Sequence, residues 1–149
     1  MPSSVLLAPM ASIGVPTEIK PDELRVALTP DGTKELVSQG LEVRIQAGAG
    51  AGAGIGDEAF ATAGAKIVTR EEAWAAHLIV KVKEPQEEEF GFLRKDMVLF
   101  TYLHLAAYPK VSEALITART TGIGYETVQM ESGSLPLLAP MSEIAGRLA

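Results

Sequence analysis

Leu41–Pro85 reads LEVRIQAGAGAGAGIGDEAFATAGAKIVTREEAWAAHLIVKVKEP, and two kinds of pattern alternate along it. LEVRIQ alternates apolar with polar residues and is rich in β-branched types, which predicts a half-buried strand. Asp57 to Ala63 predicts a helix, Lys66 to Val68 a short strand, and Arg70 to Ala76 a helix carrying the only tryptophan. HLIVKVKEP is then a strand ended by Pro85. Strands alternating with helices at this spacing make a doubly wound α/β domain with a mainly parallel sheet, flavodoxin-like or Rossmann-like in plan.

The flanks continue the alternation. Ile13 to Val15 is a short strand stopped by Pro16, and a loop follows through Thr29. Thr29 and Pro30 form an N-cap with proline at the first helical position, and Gly40 stops the helix. Downstream, the patterns predict a helix over Glu87 to Arg94, a buried strand over Met97 to Leu103, a helix over Pro109 to Arg119 and a strand over Gly122 to Tyr125. Pro140 opens a last helix through MSEIAGRLA. Residues 1–11 read as a disordered extension, 12–138 as the domain, and 139–149 as the start of a connecting helix that is cut short.

Composition narrows the function. The 149 residues suffice for one ordinary domain, and no apolar run approaches the ~20 residues a bilayer span needs. No cysteine is present, which excludes disulfides and thiolate chemistry and fits a cytoplasmic location. With two histidines, no metal site is expected. A net charge of −6 argues against a nucleic-acid binder, which needs a basic footprint on phosphates. It does not exclude a small anion held in a local basic pocket.

The glycine run Gln46 to Gly56 invites a dinucleotide-loop reading and fails it on spacing. G-x-G-x-x-G needs glycines five apart, and Gly48, Gly50, Gly52, Gly54 and Gly56 are separated only by even intervals. A flexible surface connection is the expectation there. No P-loop and no G-x-S-x-G elbow occur either. What remains is a set of cations at strand ends: Arg25 after the first strand, Lys81 and Lys83 in KVKEP, and His104 after LFTYL. In a parallel sheet all reach the carboxyl edge, where ligands bind at a reversal of strand order. Lys81 and Lys83, two apart on a strand, face the same way. Each cation also has a plainer reading: the lysines snorkel from a strand end, and His104 is a hydrogen-bonded core histidine. His77 lies at the opposite edge and reads as structural. The run Glu87, Glu88, Glu89 is explained as a solvated helix start, and Asp22 and Glu23 beside Arg25 as a surface pair of little weight.

The segments IGVPTEIKPDELRVALTP, KVKEP, LFTYLHLA and LPLLAPMSEIAGRLA, in this order and spanning Ile13 to Ala149, resemble signature segments of the alanine dehydrogenases. Nicotinamide nucleotide transhydrogenases share the plan without the KVKEP and LHLA forms. The resemblance implies a substrate-binding N-terminal domain of an NAD-dependent enzyme converting L-alanine, NAD and water to pyruvate, ammonium and NADH. It implies that Arg25 and Lys83 hold the substrate carboxylate, that His104 is catalytic, and that Ser142 contacts the dinucleotide. It also implies that the NAD-binding Rossmann domain and the catalytic aspartate it supplies lie outside these residues. A homo-oligomer, or a missing nucleotide-binding partner chain, follows from the same likeness. Two alternatives stay open: a non-enzymatic domain binding oxo acids or a protein after loss of the nucleotide domain, and a transhydrogenase-like subunit.

Overall fold

The computed structural model describes residues 11–149. The expected extension over 1–11 thus lies, Ala11 apart, outside the described residues. In chain order the elements are β1 (Ser12–Val15), α1 (Pro30–Ser38), β2 (Glu42–Gln46), α2 (Asp57–Thr62), β3 (Lys66–Val68), α3 (Arg70–Trp74), β4 (Leu78–Val80), β5 (Val98–Thr101), α4 (Pro109–Ala118), β6 (Thr121–Gly124) and α5 (Ala139–Leu148). Short 3-10 turns cover Ala51–Ala53, Glu87–Phe92 and Tyr125–Thr127.

The six strands form one sheet in the order β3-β2-β1-β4-β5-β6, with every neighbouring pair parallel. This is the Rossmann order, so the flavodoxin-like arrangement is set aside. Order reverses between β1 and β4, and the crevice at their carboxyl ends is the place to look for a ligand.

Local sequence explains the ends of the elements. The Thr29 hydroxyl accepts the Gly32 N–H at 3.1 Å and Pro30 stands at the start of α1, while Gly40, at φ 83°, closes it in the left-handed conformation. Thr69 and Glu72 form a capping box at α3. Past its other end, the Arg94 guanidinium donates to the carbonyls of Trp74, Ala75 and Ala76 at 2.7, 3.0 and 2.5 Å, satisfying groups that lack helical partners.

Each sheet face has its own core, as alternation along buried strands requires. Leu78 and Val80 join Ile13, Val15, Val43, Ile45 and Phe60 on one face, whereas Ile79 joins Trp74, Met97, Leu99, Val111 and Leu115 on the other. Gly14 lets α3 lie directly on β1, since a Cβ there would stand 1.9 Å from the Ala73 carbonyl oxygen.

Three segments depart from the sequence reading. The glycine run is a packed turn rather than a loose connection: a Cβ on Gly50 would meet the Ile55 carbonyl at 2.6 Å, and one on Gly52 the Leu24 carbonyl at 2.8 Å. β4 ends at Val80 rather than Pro85, because β1 and β4 diverge there and the Val82 N–H turns to a carboxylate instead of a strand. The segment after Pro85 is a 3-10 turn ending at Phe92, with Glu89 fully buried. Among the described residues, no helix is long and apolar enough to cross a membrane, and no group of three or more His, Cys, Asp or Glu could hold a metal ion.

Candidate active site

A cavity of about 640 Å³ opens at the carboxyl edge of the sheet. Its walls include Arg25, Val80, Val82, Phe100, Tyr102 and Met141, so one cation faces a largely apolar chamber. Such a combination, apolar walls with a few placed polar groups, is the usual form of a small-ligand site.

Arg25 is held by a fork. Glu23 accepts from its Nε at 2.8 Å, from its Nη2 at 2.7 Å and from its backbone N–H at 3.0 Å. The Glu23 side chain is 6% exposed and that of Arg25 44%, so the pair is half buried, and the Arg25 hydrogen bond pulls the Glu23 carboxyl down to about 2. Of the five guanidinium N–H groups, two are spent on Glu23, one on Nη1 points at the Met141 sulfur at 3.9 Å, and two have no partner.

Lys81 and Lys83 part company. The strand has ended, so the two-residue rule no longer aligns them, and Lys81 is completely buried rather than snorkelling. Its ammonium stands 3.2 Å from both Glu18 and Glu89, whose side chains are 2% and 0% exposed. Glu89 was expected in solvent with its neighbours Glu87 and Glu88; burial raises its pKa, with Lys81 opposing. Glu18 also accepts the N–H groups of Val82 at 2.6 Å and Lys83 at 3.3 Å. These are the amides freed where β4 leaves β1, so one carboxylate closes the crevice and fixes the backbone of Lys83. Lys83 itself is partly exposed, and its charge helps lower the Glu23 carboxyl after Arg25.

His104 is exposed, not a core histidine. Its ring lies nearly parallel to that of Tyr102, with centroids 6.1 Å apart and planes at 16°. Tyr102 lines the cavity and donates its hydroxyl proton to the Leu137 carbonyl, and burial raises its pKa. Neither Lys83 nor His104 lines the cavity; the charge of Lys83 acts on Glu23, which holds the lining residue Arg25, and the His104 ring stacks on the lining residue Tyr102. Ser142 is exposed in the first turn of α5, next to the lining residue Met141. His77 lies at the amino edge, where Ser12 Oγ is 2.9 Å from its Nδ1.

Sequence reasoning missed four acidic residues that hold the cations or their backbone: Glu18, Glu23, Glu89 and Glu126. Glu126 accepts the N–H groups of Leu103 and His104 at 3.0 and 2.8 Å. Tyr102, too, was missed: it lies past the end of β5, and only the fold brings its ring against that of His104.

The residues present do not fit a dinucleotide phosphate site. In a sheet of this order the first βα turn supplies bare N–H groups and a helix N-terminus to the pyrophosphate. Here that connection carries the buried Glu18 carboxylate at the crevice, and the Thr29 side chain already takes an amide at the start of α1. The glycine-rich turn follows β2 instead, and its Gly50 and Gly52 back onto other parts of the chain.

Comparison with known proteins bears on the family and the fold. The sequence profile of the alanine dehydrogenase/PNT N-terminal domain family matches residues 14–145. The chain is 57% identical over 139 residues to the alanine dehydrogenase of Mycolicibacterium smegmatis, covering 92% of this chain and 38% of that protein. It is 53% identical over 138 residues to the Bacillus subtilis alanine dehydrogenase, covering 92% and 36%. A solved L-alanine dehydrogenase superimposes with a TM-score of 0.89 at 49% identity, over 92% of this chain and 38% of the other. A transhydrogenase from Sinorhizobium meliloti superimposes with a TM-score of 0.73 at 30% identity, over 77% and 33%. The chain thus spans 36 to 38% of the length of these alanine dehydrogenases. A profile that runs from the end of β1 into α5, over the Rossmann-ordered sheet and the cavity at its edge, places this chain in the alanine dehydrogenase/PNT N-terminal domain family.

Proposed function

We propose that this chain is the substrate-binding part of an NAD-dependent alanine dehydrogenase, which interconverts L-alanine and pyruvate with ammonium in the cytoplasm. One observation carries the reading: Arg25, fixed by Glu23 on one side, keeps two unpartnered N–H groups at an apolar cavity of about 640 Å³, beside a third that points at the Met141 sulfur. A short oxo acid or amino acid offers a planar carboxylate, and a guanidinium fork matches its two oxygens. Lys83 adds a second positive charge at the margin. His104 gives and takes a proton at the substrate carbonyl or amino group, a duty imidazole performs near neutral pH. Tyr102, between Arg25 and His104, shapes the intervening wall.

Nicotinamide chemistry belongs to the NAD partner of this reading, and the residues described here do not supply its phosphate cradle. Ser142, one residue beyond the cavity lining, is the contact assigned to the dinucleotide. The exposed Met141, Ile144 and Leu148 of α5 give a second copy or a nucleotide-binding domain a surface to cover.

The test is a pyruvate titration of the chain by calorimetry or NMR, with Arg25→Ala and Arg25→Lys variants. A charge-assisted hydrogen bond is worth about 1.5–3 kcal/mol, so Arg25→Ala should weaken binding by about tenfold or more. Arg25→Lys keeps the charge, loses the fork and should fall between. Binding that is absent in the parent chain, or unchanged in Arg25→Ala, refutes the reading.

A further inference from the structure

His104 adopts φ 47°, a left-handed conformation in which a side chain crowds the following carbonyl. Such a residue persists where its surroundings over-determine it. Glu126 Oε1 accepts the Leu103 N–H at 3.0 Å and the His104 N–H at 2.8 Å, and Oε2 lies 3.3 Å from the Leu103 nitrogen. On the other side, the His104 carbonyl accepts the N–H groups of Ala107 at 2.8 Å and Tyr108 at 3.2 Å. Consecutive N–H groups that turn to one point make an anion-binding concavity, and here the chain fills it with its own carboxylate. Gly124 makes room for that carboxylate, since a Cβ there would stand 3.0 Å from the Glu126 Cδ.

We propose that Glu126 is a positioning residue: by accepting the N–H groups of Leu103 and His104 it fixes the left-handed turn that sets the His104 imidazole against Tyr102 at the cavity margin. The proposal rests on the reading of His104 as the proton-transfer group. Its mechanism is hydrogen-bond acceptance at a set reach, not charge, and three substitutions separate the two. Glu126→Gln keeps a carbonyl oxygen at the same reach and loses the charge. Glu126→Asp keeps the charge and withdraws the carboxylate by about 1.5 Å, one carbon–carbon bond. Glu126→Ala removes both.

The chain has two histidines, so its imidazole NMR signals are few, and His77, at the far edge, reports whether each variant is folded. Two readouts are taken: hydrogen-exchange protection of the Leu103 and His104 amides, and the change that added pyruvate causes in the His104 ring signals. Both should be kept in Glu126→Gln and lost in Glu126→Asp and Glu126→Ala, with His77 unchanged. Retention of both in Glu126→Asp overturns the proposal, as does their loss in Glu126→Gln. Should Asp and Ala variants lose the His77 signals, Glu126→Gln, which keeps the reach, decides alone: keeping both readouts supports the proposal, and losing either one overturns it. If pyruvate perturbs nothing in the parent chain, the substrate reading fails, and amide protection alone decides whether Glu126 holds the turn.

Discussion

Lys81→Met removes an ammonium that faces two buried carboxylates and leaves a side chain of similar length. The ammonium makes two charge-assisted contacts, both 3.2 Å, to side chains that are 2% and 0% exposed. At about 1.5–3 kcal/mol each, these amount to ~3–6 kcal/mol, which agrees with the ~3–5 kcal/mol expected when one partner of a buried ion pair is deleted. The loss should depend on pH. Burial raises the Glu89 pKa above its ordinary 4.5, and Lys81 is the charge that opposes the rise, so the variant's Glu89 should titrate higher still. A carboxyl with a raised folded pKa favours the folded state below its unfolded value and loses that advantage as pH rises through the folded value. The variant should therefore be closest to the parent near pH 4.5 and furthest from it at pH 8. Urea unfolding at both pH values, followed by Trp74 fluorescence, measures this. Adding Glu89→Leu should recover about half of the loss or more, because an apolar replacement removes the orphaned charge while Glu18 keeps its two amides. A loss below about 1 kcal/mol at pH 8, or one that does not vary with pH, refutes the reasoning.

Glu23→Gln should remove part of the chain's acid sensitivity: a carboxyl lowered to about 2 contributes stability that is complete above 4.5 and disappears as pH falls toward 2, so acid-unfolding curves of parent and variant should converge in that window. Gly52→Ala should cost ~1–3 kcal/mol by overpacking against Leu24, whereas Gly56→Ala, whose Cβ meets nothing within 4 Å, should leave the urea midpoint unchanged. Mixed with pyruvate, ammonium and NADH, the 149-residue chain should consume NADH at a rate about a thousandfold or more below that of a full-length alanine dehydrogenase, since orientation of the two reactants supplies ~7–11 kcal/mol and no phosphate cradle is found among the described residues. Robust turnover lost in both Arg25→Ala and His104→Ala would show that this accounting is wrong.

The elements were legible because their signals are local. Thr29 and Pro30 start α1 and Gly40 ends it within one helix length, and LEVRIQ declares its two faces without reference to any other segment. Strand order was narrowed to two candidates, which differ in whether β3 pairs with β2 or crosses to the far side of β1; here β3 pairs with β2, a choice no local pattern marks. The cations at the carboxyl edge could be named from strand ends alone. Their acidic partners could not. Glu18 meets Val82 across 64 positions and Glu126 meets His104 across 22, so no local pattern marks either. Glu89 misled because a run of three glutamates looks solvated, and its burial is decided by Lys81 on a neighbouring segment.

Glu18 constrains what this sheet can become. A lineage drifting toward phosphate recognition in the β1–β4 crevice would first have to lose its carboxylate. That loss strands the N–H groups of Val82 and Lys83 and leaves Lys81 with one counter-ion, so it destabilises the chain in which it first occurs. The same strand order that elsewhere accommodates a dinucleotide is here tied to a carboxylate whose removal costs stability before any phosphate contact is gained.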